Sequence, residues 1–289
     1  MAETAGQKIS HDSLNRVLHA DWEGKKHLEK VTNPKKLKGG YLEIDDTVVE
    51  KLHSKELEGS GYVYSSAKGK SVFGYQVVLL VWTDGQKRVV LDQKIYRKGG
   101  KTKIEIALDM ISYARNRLRL KPDYVLFDSW YAAQKLLKRI SDYGWYFCTR
   151  IKKNRLFNGK KLSLYKGNPY WNEVGELKSG FRVRVIRNGK KYFATNRLSL
   201  SRSKLLKTYK VRQHIEEVNK QLKFLGFMDC QARSIKAHSQ YLWCCIIAFS
   251  CAEKESREKG LSLYKWMVRN ISNEESIDKA LMATGLARA

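Results

Sequence analysis

The sequence predicts an α/β protein: one mixed sheet flanked by helices, with a β-rich insertion ahead of the last helices. Two observations carry this. Three β patterns joined by turn signals come first and then alternate with helical patterns, an order that builds a sheet antiparallel on one side and parallel on the other. Between residues 152 and 200 the helical period gives way to short Lys/Arg-rich alternating runs, and it returns from about 203.

Residues 9–20, ISHDSLNRVLHA, read as a short helix with Ser10 as N-cap before Leu14, Val17 and Leu18. TNPKKLKGG (32–40) is a basic linker, so 1–40 forms an N-terminal helical segment and linker. YLEIDDTVVEKL (41–52) reads as a strand that meets polar residues midway, and EGSGYVYSSAKGKS (58–71) as a Gly/Ser-rich loop. The strands GYQVVLLVWTDG (74–85) and KRVVLDQKIYR (87–97) meet at the turn signal Asp84-Gly85. In 101–120, Ile104, Ala107, Leu108, Ile111, Ala114 and Leu118 recur at helical spacing, and Pro122 stops the run. A short buried-type strand (123–130), a helix (131–142) and a strand (144–151) complete the first part of the core, 41–151. In the insertion, 152–200, Asn188-Gly189 marks a hairpin inside FRVRVIRNGKKYFAT. Residues 201–289 hold the second part of the core and the C-terminal helices. This order matches the ribonuclease-H-like fold.

At 289 residues and 43% hydrophobic content the chain can bury a core, either as one large domain with an insertion or as two small ones. The net charge of +27 repels itself and so serves attraction to a polyanion, chiefly nucleic acid. A membrane partner is not expected: the longest apolar run, YLWCCIIAFSCA (241–252), falls short of the roughly 20 residues a span needs, and MAETAGQKISHDS has no apolar leader core. Five cysteines without a CxxC pair read as reduced, buried thiols of an intracellular protein, with no zinc-ligand spacing.

The stretch YKVRQHIEEVNKQLK (209–223) keeps two glutamates in a cationic stripe. Wound as one helix at about 100° per residue, Tyr209, Arg212, Glu216, Lys220 and Lys223 share a stripe roughly 80° wide. Val211, Ile215, Val218 and Leu222 lie opposite, and Glu217 falls outside the stripe. The ordinary reading is a solvated helix face. The alternative is a carboxylate-held metal with phosphate-binding cations on either side. A lone carboxylate needs partners, and two places offer them. Asp45 and Asp46 interrupt a strand, where aspartate is disfavoured, and only one of the two can point to a given face. Asp128 in VLFDSWY closes an apolar strand at its C-terminal end, where α/β folds place their chemistry, or it caps the next helix.

Together the Asp46 of DDT, the Asp128 of FDSWY and the Tyr209–Lys223 stretch resemble the DDE transposases of bacterial insertion sequences. The resemblance is to the subgroup with a Tyr-x2-Arg-x3-Glu-x6-Lys signature, whose spacing Tyr209, Arg212, Glu216 and Lys223 meet, and it covers roughly 41–250. In that family the acid directly before the Thr, here Thr47, is the ligand, so the resemblance selects Asp46 over Asp45. It implies a catalytic and metal-binding triad of Asp46, Asp128 and Glu216 holding two Mg²⁺ ions, with Mn²⁺ as a substitute. It further implies DNA hydrolysis and strand transfer at transposon ends. Tyr209, Arg212, Lys223 and the added candidate Lys220 would bind DNA phosphates, and Trp171 is the candidate aromatic of the insertion for a flipped base. The implied partners are double-stranded DNA, terminal inverted repeats and target DNA, engaged by a homodimer on paired ends in a prokaryotic cytoplasm. SHDSLNRVL resembles the tail of a helix-turn-helix whose first helix is missing. A nuclease without strand transfer, or a DNA-binding remnant, are the competing readings.

Other signals carry less. Tyr64 stands where a P-loop ending in Gly69-Lys70-Ser71 needs its first glycine. No two histidines stand at i, i+4, and none is placed in the chemistry. KKNRLFNGKK (152–161) reads equally as a DNA-facing surface or a solvated loop. Trp243 to Phe249 read as core.

Overall fold

The computed structural model describes residues 11–51, 57–65, 67–165 and 167–270. Helices α1 (His11–His19) and α2 (Gly24–Thr32) open the chain; the expected cap, Ser10, and residues 271–289 lie outside the described residues. The core follows as β1 (Tyr41–Glu50), β2 (Gly61–Ser65), β3 (Lys70–Thr83), β4 (Arg88–Tyr96), α3 (Lys103–Asn116), β5 (Tyr124–Phe127), α4 (Gln134–Asp142) and β6 (Phe147–Ile151). The inserted region contributes β7 (Leu156–Phe157), β8 (Lys160–Lys161), β9 (Asn172–Leu177), β10 (Phe181–Asn188) and β11 (Lys191–Thr195). Helices α5 (Arg202–Lys210), α6 (Gln213–Phe224), α7 (Ile235–Glu258) and α8 (Leu263–Asn270) complete it.

All eleven strands join one sheet in the order β2-β3-β1-β5-β6-β11-β10-β9-β7-β8, with β4 also on β3. β1 runs antiparallel to β3 and parallel to β5, and β5 is parallel to β6, so the sheet is mixed as expected. Through the β11–β6 pairing the inserted strands extend this same sheet.

Period-two alternation gives the sheet two apolar faces. Leu42, Ile44, Val78 and Leu80 pack with Met110 and Ile111 of α3 and Leu136 and Leu137 of α4. Val77, Leu79 and Val81 face the other way, onto Ile215, Val218 and Leu222 of α6 and Leu242, Ile246 and Phe249 of α7. Full burial of the three α6 side chains is worth about 1.5–3 kcal/mol each, which fixes this helix against the sheet. Trp243 and Phe249 lie within that core.

Two expectations change. Residues 61–65, read as loop, form β2, because Tyr62, Val63 and Tyr64 pair with the N-terminal extension of β3. The continuous helix expected over 209–223 is broken: α5 ends at Lys210 and α6 begins at Gln213. The amides of Val211 and Arg212 bond to the carbonyls three residues back, Thr208 and Tyr209, so the turn tightens and the stripe drawn for an ideal helix is split.

Candidate active site

The parallel register of β1 and β5 pairs Ile44 with Phe127, and extending it by one residue brings Asp45 level with Asp128. Neighbours level in a parallel pair point to the same face, here the one that carries Glu43 and Leu126 and faces α5 and α6. Asp128 lies just past the end of β5, where its Oδ1 accepts from the amides of Trp130 (2.8 Å) and Tyr131 (3.4 Å) and turns the chain toward α4.

Arg212, at the break between α5 and α6, ties the third acid to the first. Its guanidinium donates to Asp45 Oδ2 at 2.8 Å and to Glu216 Oε1 at 2.6 Å. Arg212 and Asp45 are mostly buried, whereas the Glu216 side chain is 50% exposed. Burial raises the Asp45 carboxyl to about 7; Arg212 opposes this, and the neighbouring Asp46 and Asp128 add to it. Burial alone would lower Arg212, but Asp45, Tyr209 and Glu216 carry it above its ordinary value. Two residues up the same face, Glu43 is fully buried, and burial pushes it up to about 8, with the Ile215 backbone and Arg212 acting against the shift.

Asp46 points the other way. Both its oxygens accept from Lys103 Nζ at 3.0 Å, and its Oδ1 also accepts from the Tyr131 hydroxyl at 2.8 Å. Lys103 is the first residue of α3, held there by the capping box of Thr102 and Glu105. The contacts thus link Asp45, not Asp46, to Glu216, although all three aspartates lie close enough to act on Tyr131. Among the described residues no three acidic, His or Cys groups stand ready to hold an ion, because the Arg212 guanidinium lies between Asp45 and Glu216. The oxygens of Asp45, Asp128 and Glu216 are hard donors of the kind a divalent metal takes, and in this structure Asp45 and Glu216 spend theirs on Arg212.

The other expected residues are dispersed around this point. Tyr209 lies on Phe193 at 5.0 Å; burial pushes its phenol up to about 12, with Arg212 and Arg150 acting against the shift. Lys220 is exposed; Lys223 is half-buried, and burial lowers its ammonium while Glu50 opposes. Trp171 is packed inside the inserted region, 4.7 Å from Tyr165 and 5.4 Å from Phe157, and makes no contact with the acids. Glu217 belongs to a separate network with Arg88 and the buried Glu253. Sequence reasoning missed Glu43, Lys103, Trp130 and Tyr131; the signals were a glutamate inside a strand, the TKIE capping box and the two aromatics directly after FDS.

Acids carried on a mixed sheet and its covering helix, amid cations, mark the candidate site of an α/β domain. The chain belongs to the family described as Transposase DDE domain, whose model matches residues 38–251. Its fold is similar to that of the piggyBac transposase in a synaptic complex with hairpin DNA, with a TM-score of 0.54 and 14% identity over 88% of this chain. The chain spans 55% of that protein. Weaker likenesses are to the Mos1 transposase paired-end complex (TM-score 0.23, 15% identity, 50% of this chain and 44% of that one) and to the NurA nuclease from Sulfolobus solfataricus (TM-score 0.28, 10% identity, 70% and 90%). No curated protein sequence matches. Among the described residues no helix is long and apolar enough to cross a membrane.

Proposed function

We propose that the chain is a metal-dependent DNA transposase of the bacterial insertion-sequence type, hydrolysing a phosphodiester at a transposon end and joining the freed end to target DNA. The observation that carries this is the convergence of Asp45, level with Asp128 in the β1–β5 register, with Glu216 through Arg212. Asp45, Asp128 and Glu216 would hold the divalent ions, Mg²⁺ or Mn²⁺. When bound, such ions activate the attacking oxygen and stabilise the leaving one. This assignment sets Asp45 where the resemblance sets Asp46, since Asp46 is bonded to Lys103 and Tyr131 on the opposite face and Asp45 shares Arg212 with Glu216.

The protein's own groups supply the rest. Arg212, freed from the carboxylates, would bind a phosphate beside the scissile bond, and Tyr209, Lys220 and Lys223 are the further candidates for phosphate contact. The net charge of +27 supports double-stranded DNA as partner. The like-folded piggyBac protein forms a synaptic complex with DNA, in keeping with a homodimer that pairs two ends.

The test is cleavage of end-containing DNA in Mg²⁺ or Mn²⁺ by the full chain and by Glu216→Gln, with salt-dependent binding measured alongside. The expected result is loss of cleavage with binding retained. A Glu216→Gln variant as active as the parent would overturn the reading. Products joined through a 3′-hydroxyl donor separate a transposase from a hydrolytic nuclease.

A further inference from the structure

Helix α3 leads away from the aspartates to a second cationic face. It runs from Lys103, which holds Asp46, to Asn116. At about 1.5 Å per residue its far end lies roughly 20 Å from that contact. Beyond that end the chain alternates between inside and outside. Leu118, Leu120 and Pro122 are buried, the two leucines in the core under α3, whereas Arg117, Arg119 and Lys121 are exposed. Burial of every second residue thus turns three cations outward together.

The segment before β1 is tied to this one. The Asp123 amide donates to the Gly40 carbonyl at 2.8 Å, and the Gly40 amide donates to Asp123 Oδ2 at 2.9 Å. Pro34 is buried and Leu37 packs on the same core, which leaves Lys35, Lys36 and Lys38 exposed. Between the two segments lies a cavity of about 420 Å³ lined by Glu29, Lys35, Asn116, Arg117, Leu118 and Arg119. Among the described residues none of these lysines and arginines is ion-paired. The acids nearby are bonded to neutral groups: Glu29 accepts from the Tyr113 hydroxyl, and Asp123 from Gly40.

The α3 dipole accounts for Arg115 and at most Arg117, because its pull fades within the last turn. Arg119 stands in the left-handed region, φ 56°, which an L side chain adopts only at a cost. No aromatic lines the cavity, so it has no platform on which to stack an unpaired base. Unpaired cations spread over two segments match phosphates alone, which is how the backbone of a duplex is held.

We infer that this face binds the phosphate backbone of a second duplex, so that one chain holds two DNA segments, one at the acids and one at the far end of α3. The inference stands apart from the proposed reaction, because the face includes none of the acids and none of the phosphate contacts given to them.

The test uses the full chain in metal-free buffer. A biotinylated duplex holds the chain on beads, and capture of a second, fluorescent duplex is read as salt is raised. Lys35→Gln combined with Arg117→Gln and Arg119→Gln should lower that capture ~10-fold. The salt slope of capture should fall by about one for each cation removed. Arg119→Gly suits the left-handed backbone, so it should keep the melting temperature while lowering the slope by about one. Unchanged capture and slope in the triple variant would overturn the face. So would a labelled polyglutamate whose binding depends on these cations more steeply than that of the duplex. Cleavage in Mn²⁺ is scored separately. A chain that never cleaves DNA yet captures the second duplex through these cations sinks the transposase reading alone, and cleavage with capture indifferent to them sinks the face alone.

Discussion

Asp45 and Asp46 are neighbours in one strand and live in opposite settings. On the α6 side, Asp45 meets a single arginine that also bonds the half-exposed Glu216. On the α3 side, Asp46 is gripped by a lysine 9% exposed and by the buried Tyr131, whose ring belongs to the apolar core. The first counter-ion sits at a helix break and also reaches the half-exposed Glu216. The second is pinned at a capped helix start and under an indole. Two identical side chains thus meet different partners, because a strand turns successive residues to opposite faces.

The largest expected effect separates the two directly. Asp45→Asn should lower metal-dependent cleavage ~10³-fold, since a lost metal ligand removes several kcal/mol of transition-state stabilisation. Calorimetry should show Mn²⁺ affinity falling with it, while Asp46→Asn keeps that affinity; the opposite pattern would reverse the assignment. Next, Lys103→Met should cost about 3 kcal/mol in urea denaturation by stranding Asp46, without moving Mn²⁺ affinity. A neutral outcome would mean that the α3 side is no scaffold. Arg212→Gln should tighten Mn²⁺ binding ~10-fold, about 1.4 kcal/mol, by removing the competing cation, while weakening binding to DNA. Unchanged metal affinity would mean that Arg212 does not occupy the ion's place.

The smallest effect concerns Glu43. Its carboxyl lies at about 8 in the folded chain against an ordinary 4.5, raised by burial. Between those values the folded state keeps a proton that the unfolded state releases, so this residue's contribution to stability declines as pH rises through that window. Melting curves of Glu43→Gln should therefore show a shallower decline from acid to pH 8 than the parent. Parallel profiles would mean that Glu43 is ionised in the fold.

The mixed sheet flanked by helices was legible because apolar periodicity and turn signals are local. Asp128 at a strand end and Glu216 among cations could be read from position and type alone. The choice between Asp45 and Asp46 could not, because it depends on which face of β1 meets α6 and on the register with β5, both set by contacts distant in sequence. The break at Val211–Arg212 was hidden for another reason: no Gly or Pro marks it. Trp171 was chosen by location, and its contacts with Tyr165 and Phe157 depend on the folding of the inserted region, which its place in the sequence does not reveal.

The division of one motif between α5 and α6 has a mechanical consequence. Leu205, with Tyr209 and Val211 against it, rests on the cluster of Tyr124, Cys148 and Phe193, whereas Ile215, Val218 and Leu222 rest on the cluster beneath α7. The segment that carries Tyr209 and the one that carries Glu216 therefore have separate foundations, and Arg212 is the pivot between them.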